Sequence, residues 1–105
     1  MPISAKDKAV IVTGGAGEMG SSIARRLVDE GAKVVIADIA DGSALADELG
    51  RNGDAIYVKT DVTSEESTEA MARATIDTYG RIDALVNNAG LFTACLLYTS
   101  DAADE

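Results

Sequence analysis

Four glycines fall within seven residues in Thr13-Gly14-Gly15-Ala16-Gly17-Glu18-Met19-Gly20. The run follows the apolar stretch Ala9-Val10-Ile11-Val12 directly and leads into a helix-length segment. That order suits one kind of chemistry. A strand delivers a tight turn whose small residues let backbone N–H groups approach a pyrophosphate, and the helix N-terminus behind it supplies partial positive charge. Glycine serves any tight junction, so the signal lies in the order strand, turn, helix. Gly15 and Gly20 also have the spacing of a nucleoside-triphosphate loop, but Ser21 stands where that loop requires its lysine, which excludes it.

Asp38 closes a second apolar run, eighteen residues after Gly20. Dinucleotide folds place an acid there on the adenosine ribose. A carboxylate accepts from both ribose hydroxyls, each charge-assisted bond contributing roughly 1.5–3 kcal/mol. Its charge also repels a 2′-phosphate, and Ile39 follows with no arginine beside it. NAD is therefore the expected cofactor, with NADP disfavoured. The competing view of Asp38 is an ordinary solvated acid at a strand end.

Composition narrows the remaining chemistry. There is no histidine and one cysteine, Cys95. Disulfide frameworks and Cys/His zinc sites are thus excluded, and acid–base work falls to carboxylate, lysine or tyrosine. The chain has 105 residues, 47% apolar and 26% charged, with a net charge of −9 that disfavours nucleic acid and anionic membrane as partners. No apolar run exceeds the five residues Ala94 to Tyr98, far below the roughly 20 of a membrane span. Met1 to Lys8 holds no apolar signal core, so a reducing cytoplasm is expected.

The positioning elements follow from the hydrophobic pattern. Ala9–Val12, Val34–Ala37, Ala55–Val58 and Ala84–Val86 are continuous apolar runs suited to strands buried on both faces of a parallel sheet. Gly20 to Glu30 puts Ile23, Ala24, Leu27 and Val28 on one helical stripe, with Gly31 as a stop. Gly42 to Leu49 spaces Ala44, Leu45, Glu48 and Leu49 helically and ends at Gly50. Ser64 to Tyr79 opens with Thr63 and Glu66 at capping-box spacing and stops at Gly80. The expected fold is α/β, a Rossmann-type doubly wound parallel sheet truncated after its fourth strand.

Together, Thr13-Gly14 through Gly20, Asp38, Asp61-Val62 and Asn87-Asn88-Ala89-Gly90 resemble the cofactor half of a classical short-chain dehydrogenase/reductase. The resemblance covers about residues 6 to 93, and Asn-Asn-Ala-Gly closing the fourth strand is its most diagnostic part. It implies an oxidoreductase that transfers hydride between a nicotinamide and an alcohol or carbonyl substrate. It also implies cofactor contacts from Thr13, Gly14, Gly17, Met19, Gly20, Asp38, Asp61, Val62, Asn88, Ala89 and Gly90. In that scheme Asp61 and Val62 meet the adenine, Asn88, Ala89 and Gly90 line the cofactor, and Thr13 ties the turn to the strand-four loop. The plain alternative for Asn87 and Asn88 is a strand-end turn, since Asn readily bonds its own backbone. Family members are usually homo-oligomers through later helices.

The turn departs from the classical form, whose middle glycine would fall on Glu18. Gly14-x-x-Gly17-x-x-Gly20 instead resembles the extended branch, which acts on nucleotide sugars as epimerases and dehydratases. Asn-Asn-Ala-Gly and Asp61-Val62-Thr63 favour the classical branch. Glu18 is expected to face solvent near a helix N-terminus, where an acid is favoured by roughly 0.3–1 kcal/mol.

In this family the hydride step is served by a serine, a tyrosine and a lysine at Tyr-x-x-x-Lys spacing beyond the Asn-Asn-Ala-Gly strand. Four residues after Tyr57, Tyr79 and Tyr98 stand Asp61, Asp83 and Ala102, and no lysine follows Lys59. No catalytic residue is therefore assigned, and the 105-residue chain itself is expected to be inactive. Cys95 to Glu105 back-translates into a string resembling read-through of a transposon-based sequencing adapter. The expected organisation is an NAD-binding half-domain over residues 1–94 and a non-native tail over 95–105. Removing Asp101, Asp104 and Glu105 leaves fifteen acids against nine bases, a charge of −6. A dinucleotide-binding module without catalysis is the reading from a different class.

Overall fold

The computed structural model describes residues 4–88. Seven elements alternate along the chain: β1 (Ala9–Thr13), α1 (Glu18–Asp29), β2 (Lys33–Asp38), α2 (Ser43–Gly50), β3 (Asp54–Lys59), α3 (Glu65–Tyr79) and β4 (Ala84–Asn87). The strands form one parallel sheet in the order β3-β2-β1-β4, with Val12 opposite both Ile36 and Val86. The α/β Rossmann-like fold expected from the apolar runs is the fold observed.

Alternation within the strands divides the core between two helical layers. Val10, Val12, Val34 and Ile36 face Ala24 and Val28 of α1 and Ala46 and Leu49 of α2. Ile11, Val35 and Ala37 face the opposite way, onto Met71 of α3. Burying each Val or Ile stabilises by roughly 1.5–3 kcal/mol relative to exposure. Both faces of β1 and β2 are therefore covered, and every residue of β1 is buried. The outer strands are not: β3 is half-buried along its middle, and Leu85 of β4 is 53% exposed. A continuous apolar run fits the central strands for the stated reason, whereas β3 and β4 lie at the sheet margins.

The helix boundaries differ from the pattern in instructive places. α1 begins at Glu18, two residues before Gly20, because Gly17 takes the N-cap in an extended conformation (φ −78°, ψ 176°). α3 is capped by Ser64, whose hydroxyl accepts the Ser67 N–H at 3.1 Å. Thr63 is drawn away from that role because its N–H and hydroxyl both donate to Asp61 Oδ1, at 2.9 and 2.6 Å. In α2 the packed face is Leu45, Ala46 and Leu49, and Ala44 is exposed. Gly80 ends α3 in the left-handed region at φ 77°.

Asp83 locks β4 to the start of β1. Its carboxylate accepts the Ala9 N–H at 2.8 Å, and its own N–H donates to the Ala9 carbonyl at 2.9 Å. The Arg81 guanidinium, 2.7 Å away, together with the Ala9 bond holds the Asp83 carboxyl below the ordinary range.

Candidate cofactor site

The carboxyl ends of β1, β2 and β3 bring the glycine turn, Asp38 and Asp61-Val62 to one edge of the sheet. They line a shallow cleft of about 100 Å³ formed by Gly14, Ala37, Asp38, Ile39, Thr60, Asp61 and Val62. Open α/β sheets bind ligands at the carboxyl ends of their strands; here the strand order reverses between β1 and β4, and the cleft lies on the β1–β3 side of that point.

The turn is built from close approaches that admit no side chain. Gly14 has φ 65°, and its N–H donates to the Ala37 carbonyl at 2.8 Å. A Cβ on Gly15 would lie 2.8 Å from the Val12 carbonyl oxygen and 2.9 Å from Ile36 Cγ2. A Cβ on Gly20 would lie 2.7 Å from the Gly14 carbonyl carbon and 2.8 Å from Gly15 Cα. Gly17 differs, because a Cβ there would only touch the Gly14 oxygen at 3.4 Å. Gly15 was not among the residues assigned a site role from sequence, yet the turn could not close without it. The signal was the doubled glycine itself.

The N-termini of the three described helices contrast. The N–H groups of a helix's first turn have no partner within the helix. Ser64 supplies one for α3, and Asp41 Oδ1 accepts the Ser43 N–H at the start of α2. The Gly17 cap of α1 brings no side chain to the N–H groups of Glu18, Met19 and Gly20. Those donors and the dipole behind them suit an anion. Glu18 and Met19 direct exposed side chains away from the core, and Met19 is 63% exposed.

Asp38 is fixed by four hydrogen bonds. Its Oδ2 accepts the Ala16 N–H at 3.0 Å and its Oδ1 the Ala40 N–H at 2.9 Å. Its carbonyl accepts the Thr60 N–H at 2.9 Å and the Tyr57 hydroxyl at 3.1 Å. Each carboxylate oxygen retains a further lone pair. Asp61 is tied down in the same way: the hydroxyl and then the N–H of Thr63 pull its carboxyl below the ordinary range. Its N–H donates to Ser67 Oγ at 2.8 Å, and Val62 beside it is 38% exposed.

On the other flank, the buried Thr13 hydroxyl lies 3.3 Å from the Val86 carbonyl and 3.2 Å from Asn87 Oδ1. Asn88 Nδ2 donates to the Gly14 carbonyl at 3.3 Å. The asparagine pair thus reaches across to β1 and the glycine turn. Ala89 and Gly90 lie outside the described residues, as do Tyr98, Ser100 and the whole of 95–105. Burial, with Asp41 and Asp38 nearby, raises the Tyr57 pKa, and burial with Asp54 pushes Tyr79 up to about 12. A tyrosine serving as general base needs the opposite shift. Among the described residues, no group of three or more His, Cys, Asp or Glu could hold a metal ion, and no helix is long and apolar enough to cross a membrane.

Fold and cleft together define a Rossmann-like α/β unit. The chain belongs to the short-chain dehydrogenase family, whose model matches residues 8–105. It is 46% identical over 86 residues to (+)-borneol dehydrogenase 1 of Salvia officinalis, an alignment covering 80% of this chain and 32% of that one. It is 46% identical over 85 residues to L-fucose dehydrogenase of Oryctolagus cuniculus, covering 79% and 29%. The crystal structure of a short chain dehydrogenase from Mycobacterium smegmatis superimposes with a TM-score of 0.76 at 41% identity, over 81% of this chain and 38% of that one. The chain spans about a third of the length of the curated relatives it matches.

Proposed function

We propose that this chain is the cofactor-binding part of an NAD-preferring oxidoreductase of the classical branch. The parent protein transfers hydride between nicotinamide and a small alcohol or carbonyl compound. The observation that carries this is the Asp38 carboxylate, held in the cleft beside an uncapped helix N-terminus. The site fits a dinucleotide: the N–H groups of Glu18, Met19 and Gly20 meet the pyrophosphate, and the Gly17 position leaves room for it to come close. Asp38 accepts from the ribose hydroxyls through its remaining lone pairs, and Asp61 and Val62 flank the adenine. Thr13, Asn87 and Asn88 keep the turn in place, and Ala89 and Gly90 continue the cofactor wall by family resemblance. When bound, the nicotinamide supplies the hydride chemistry.

In this proposal the chain holds the cofactor without turning it over, because the Ser/Tyr/Lys set of the family has no counterpart in its 105 residues. The parent is a cytoplasmic homo-oligomer, and residues 95–105 are a non-native tail. The family match runs to residue 105, so the tail assignment rests on the back-translation alone. Resequencing the source DNA across codon 94 with adapter-free chemistry tests it. Calorimetric titration of the chain with NAD⁺ and NADP⁺ tests the cofactor reading. Tighter NAD⁺ binding is expected, and binding of neither, or preference for NADP⁺, overturns it.

A further inference from the structure

Asp38 is tied to the rest of the fold through its backbone as well as its carboxylate. The Tyr57 hydroxyl and the Thr60 N–H both donate to its carbonyl, using both lone pairs. Tyr57 pairs with Ile36 across β2 and β3, and its ring comes so close to Gly42 that a Cβ there would lie 3.0 Å from Tyr57 Cδ1. The same Cβ would lie 3.4 Å from Ala16 Cβ. Tyr57 therefore sits where β3, the start of α2 and the glycine turn converge. It is not itself a lining residue of the cleft, and it reaches the lining through the Asp38 carbonyl.

We infer that Tyr57 is a positioning residue for Asp38, its hydroxyl setting the carboxylate for a ribose bearing a free 2′-hydroxyl and so contributing to cofactor selectivity. This rests on the dinucleotide reading of the cleft. The chemical logic is that a carboxylate gains two ribose bonds only if its plane is fixed; the Ala16 and Ala40 N–H groups fix the plane, and Tyr57 holds the main chain from which the carboxylate projects toward them. A phosphate at the 2′ position gains nothing from that order, because the charge repels it at any orientation. Burial, with Asp41 and Asp38 nearby, raises the phenol's pKa, so the hydroxyl is a donor at neutral pH.

The test is NAD⁺ and NADP⁺ titration of the unmutated chain, Tyr57→Phe, Asp38→Ala and the double variant at low micromolar concentration. Tyr57→Phe removes the hydroxyl and keeps the ring packing. NAD⁺ affinity is expected to fall about three- to tenfold, the effect of one neutral hydrogen bond, with NADP⁺ affinity unchanged. In the Asp38→Ala background the same substitution should change neither cofactor's affinity. Unchanged NAD⁺ binding, equal losses for both cofactors, or an undiminished loss in the Asp38→Ala background overturns the positioning role. Failure of the unmutated chain to bind either cofactor overturns the dinucleotide reading itself, and the role with it. A measurement on the unmutated chain covers a Tyr57→Phe variant that does not fold. The Tyr57 ring resonances should move with NAD⁺ concentration alongside the Asp38 and Thr60 amides, and a stationary Tyr57 ring overturns the role.

Discussion

The Ala16 N–H donates to Asp38 Oδ2 at 3.0 Å, so the glycine turn after β1 and the acid at the end of β2 form one rigid unit across 22 residues of chain. An acid serving only as a solvated strand end has no such partner. Asp38 both braces the glycine turn and presents its remaining lone pairs to the cleft.

Asp38→Ala should therefore weaken NAD⁺ binding about ten- to hundredfold, the loss of charge-assisted bonds, while NADP⁺ loses much less. Asp38→Asn keeps a side-chain oxygen for one of the backbone donors and drops the charge. It should cut the NAD⁺ preference at little cost in Tm. Titration calorimetry with both cofactors checks this, and equal losses for the two cofactors would remove the ribose role.

The glycines separate into two kinds by what surrounds them. Gly20→Ala forces a methyl group against the Gly14 carbonyl and should abolish cooperative folding, seen as loss of a thermal transition by circular dichroism. Gly17→Ala meets only the Gly14 oxygen at ordinary contact distance. It should leave Tm within a few degrees while reducing NAD⁺ affinity, because on the proposed reading the added methyl group would stand where the pyrophosphate approaches. Glu18→Gly should leave affinity unchanged, and a large gain would place Glu18 against the cofactor.

Tyr79 gives the alkaline limit of stability. Burial and Asp54 raise its folded pKa to about 12 from the ordinary 10.0. Because the folded value is the higher one, its contribution is complete below pH 10.0 and is lost as pH rises through about 12. Lys33 lies 5.9 Å over the same ring. Tyr79→Phe should flatten the fall in Tm between about pH 10 and 12. Ultraviolet titration of the phenols should show one that ionises well above its ordinary value in the folded chain.

β4 has no strand on its outer side among the described residues, and Leu85 there is 53% exposed. Such an edge templates association between chains. The 105-residue chain should self-associate at tens of micromolar by light scattering, and Leu85→Lys should reduce it. A monomer that unfolds cooperatively at that concentration contradicts the expectation.

Much of the fold was legible because the central strands are buried on both faces and so appear as unbroken apolar runs, and because Gly31 and Gly80 stop helices in the left-handed conformation. The site was legible because its spacing reports backbone geometry: a turn, then an acid one strand later. What sequence left hidden was competition for hydrogen bonds. Thr63 has capping-box spacing, yet Asp61 takes both its donors and Ser64 caps the helix instead. Tyr57 resembles any apolar strand residue until its hydroxyl is seen on the Asp38 carbonyl. Asp83 likewise carries no motif, and only the parallel pairing of β1 with β4 brings it to the Ala9 N–H.

The bond from Asn88 Nδ2 to the Gly14 carbonyl joins residues 74 apart in the chain. Closing so long a loop costs entropy that local helix formation does not, and non-local pairings of this kind are made late in folding. The glycine turn, although synthesised first, gains this bond only when β4 docks beside β1. A nascent chain that has not yet released Asn88 would carry every glycine of the turn and still lack its finished shape, so the geometry the proposed nucleotide site requires arrives with the fourth strand rather than with the first.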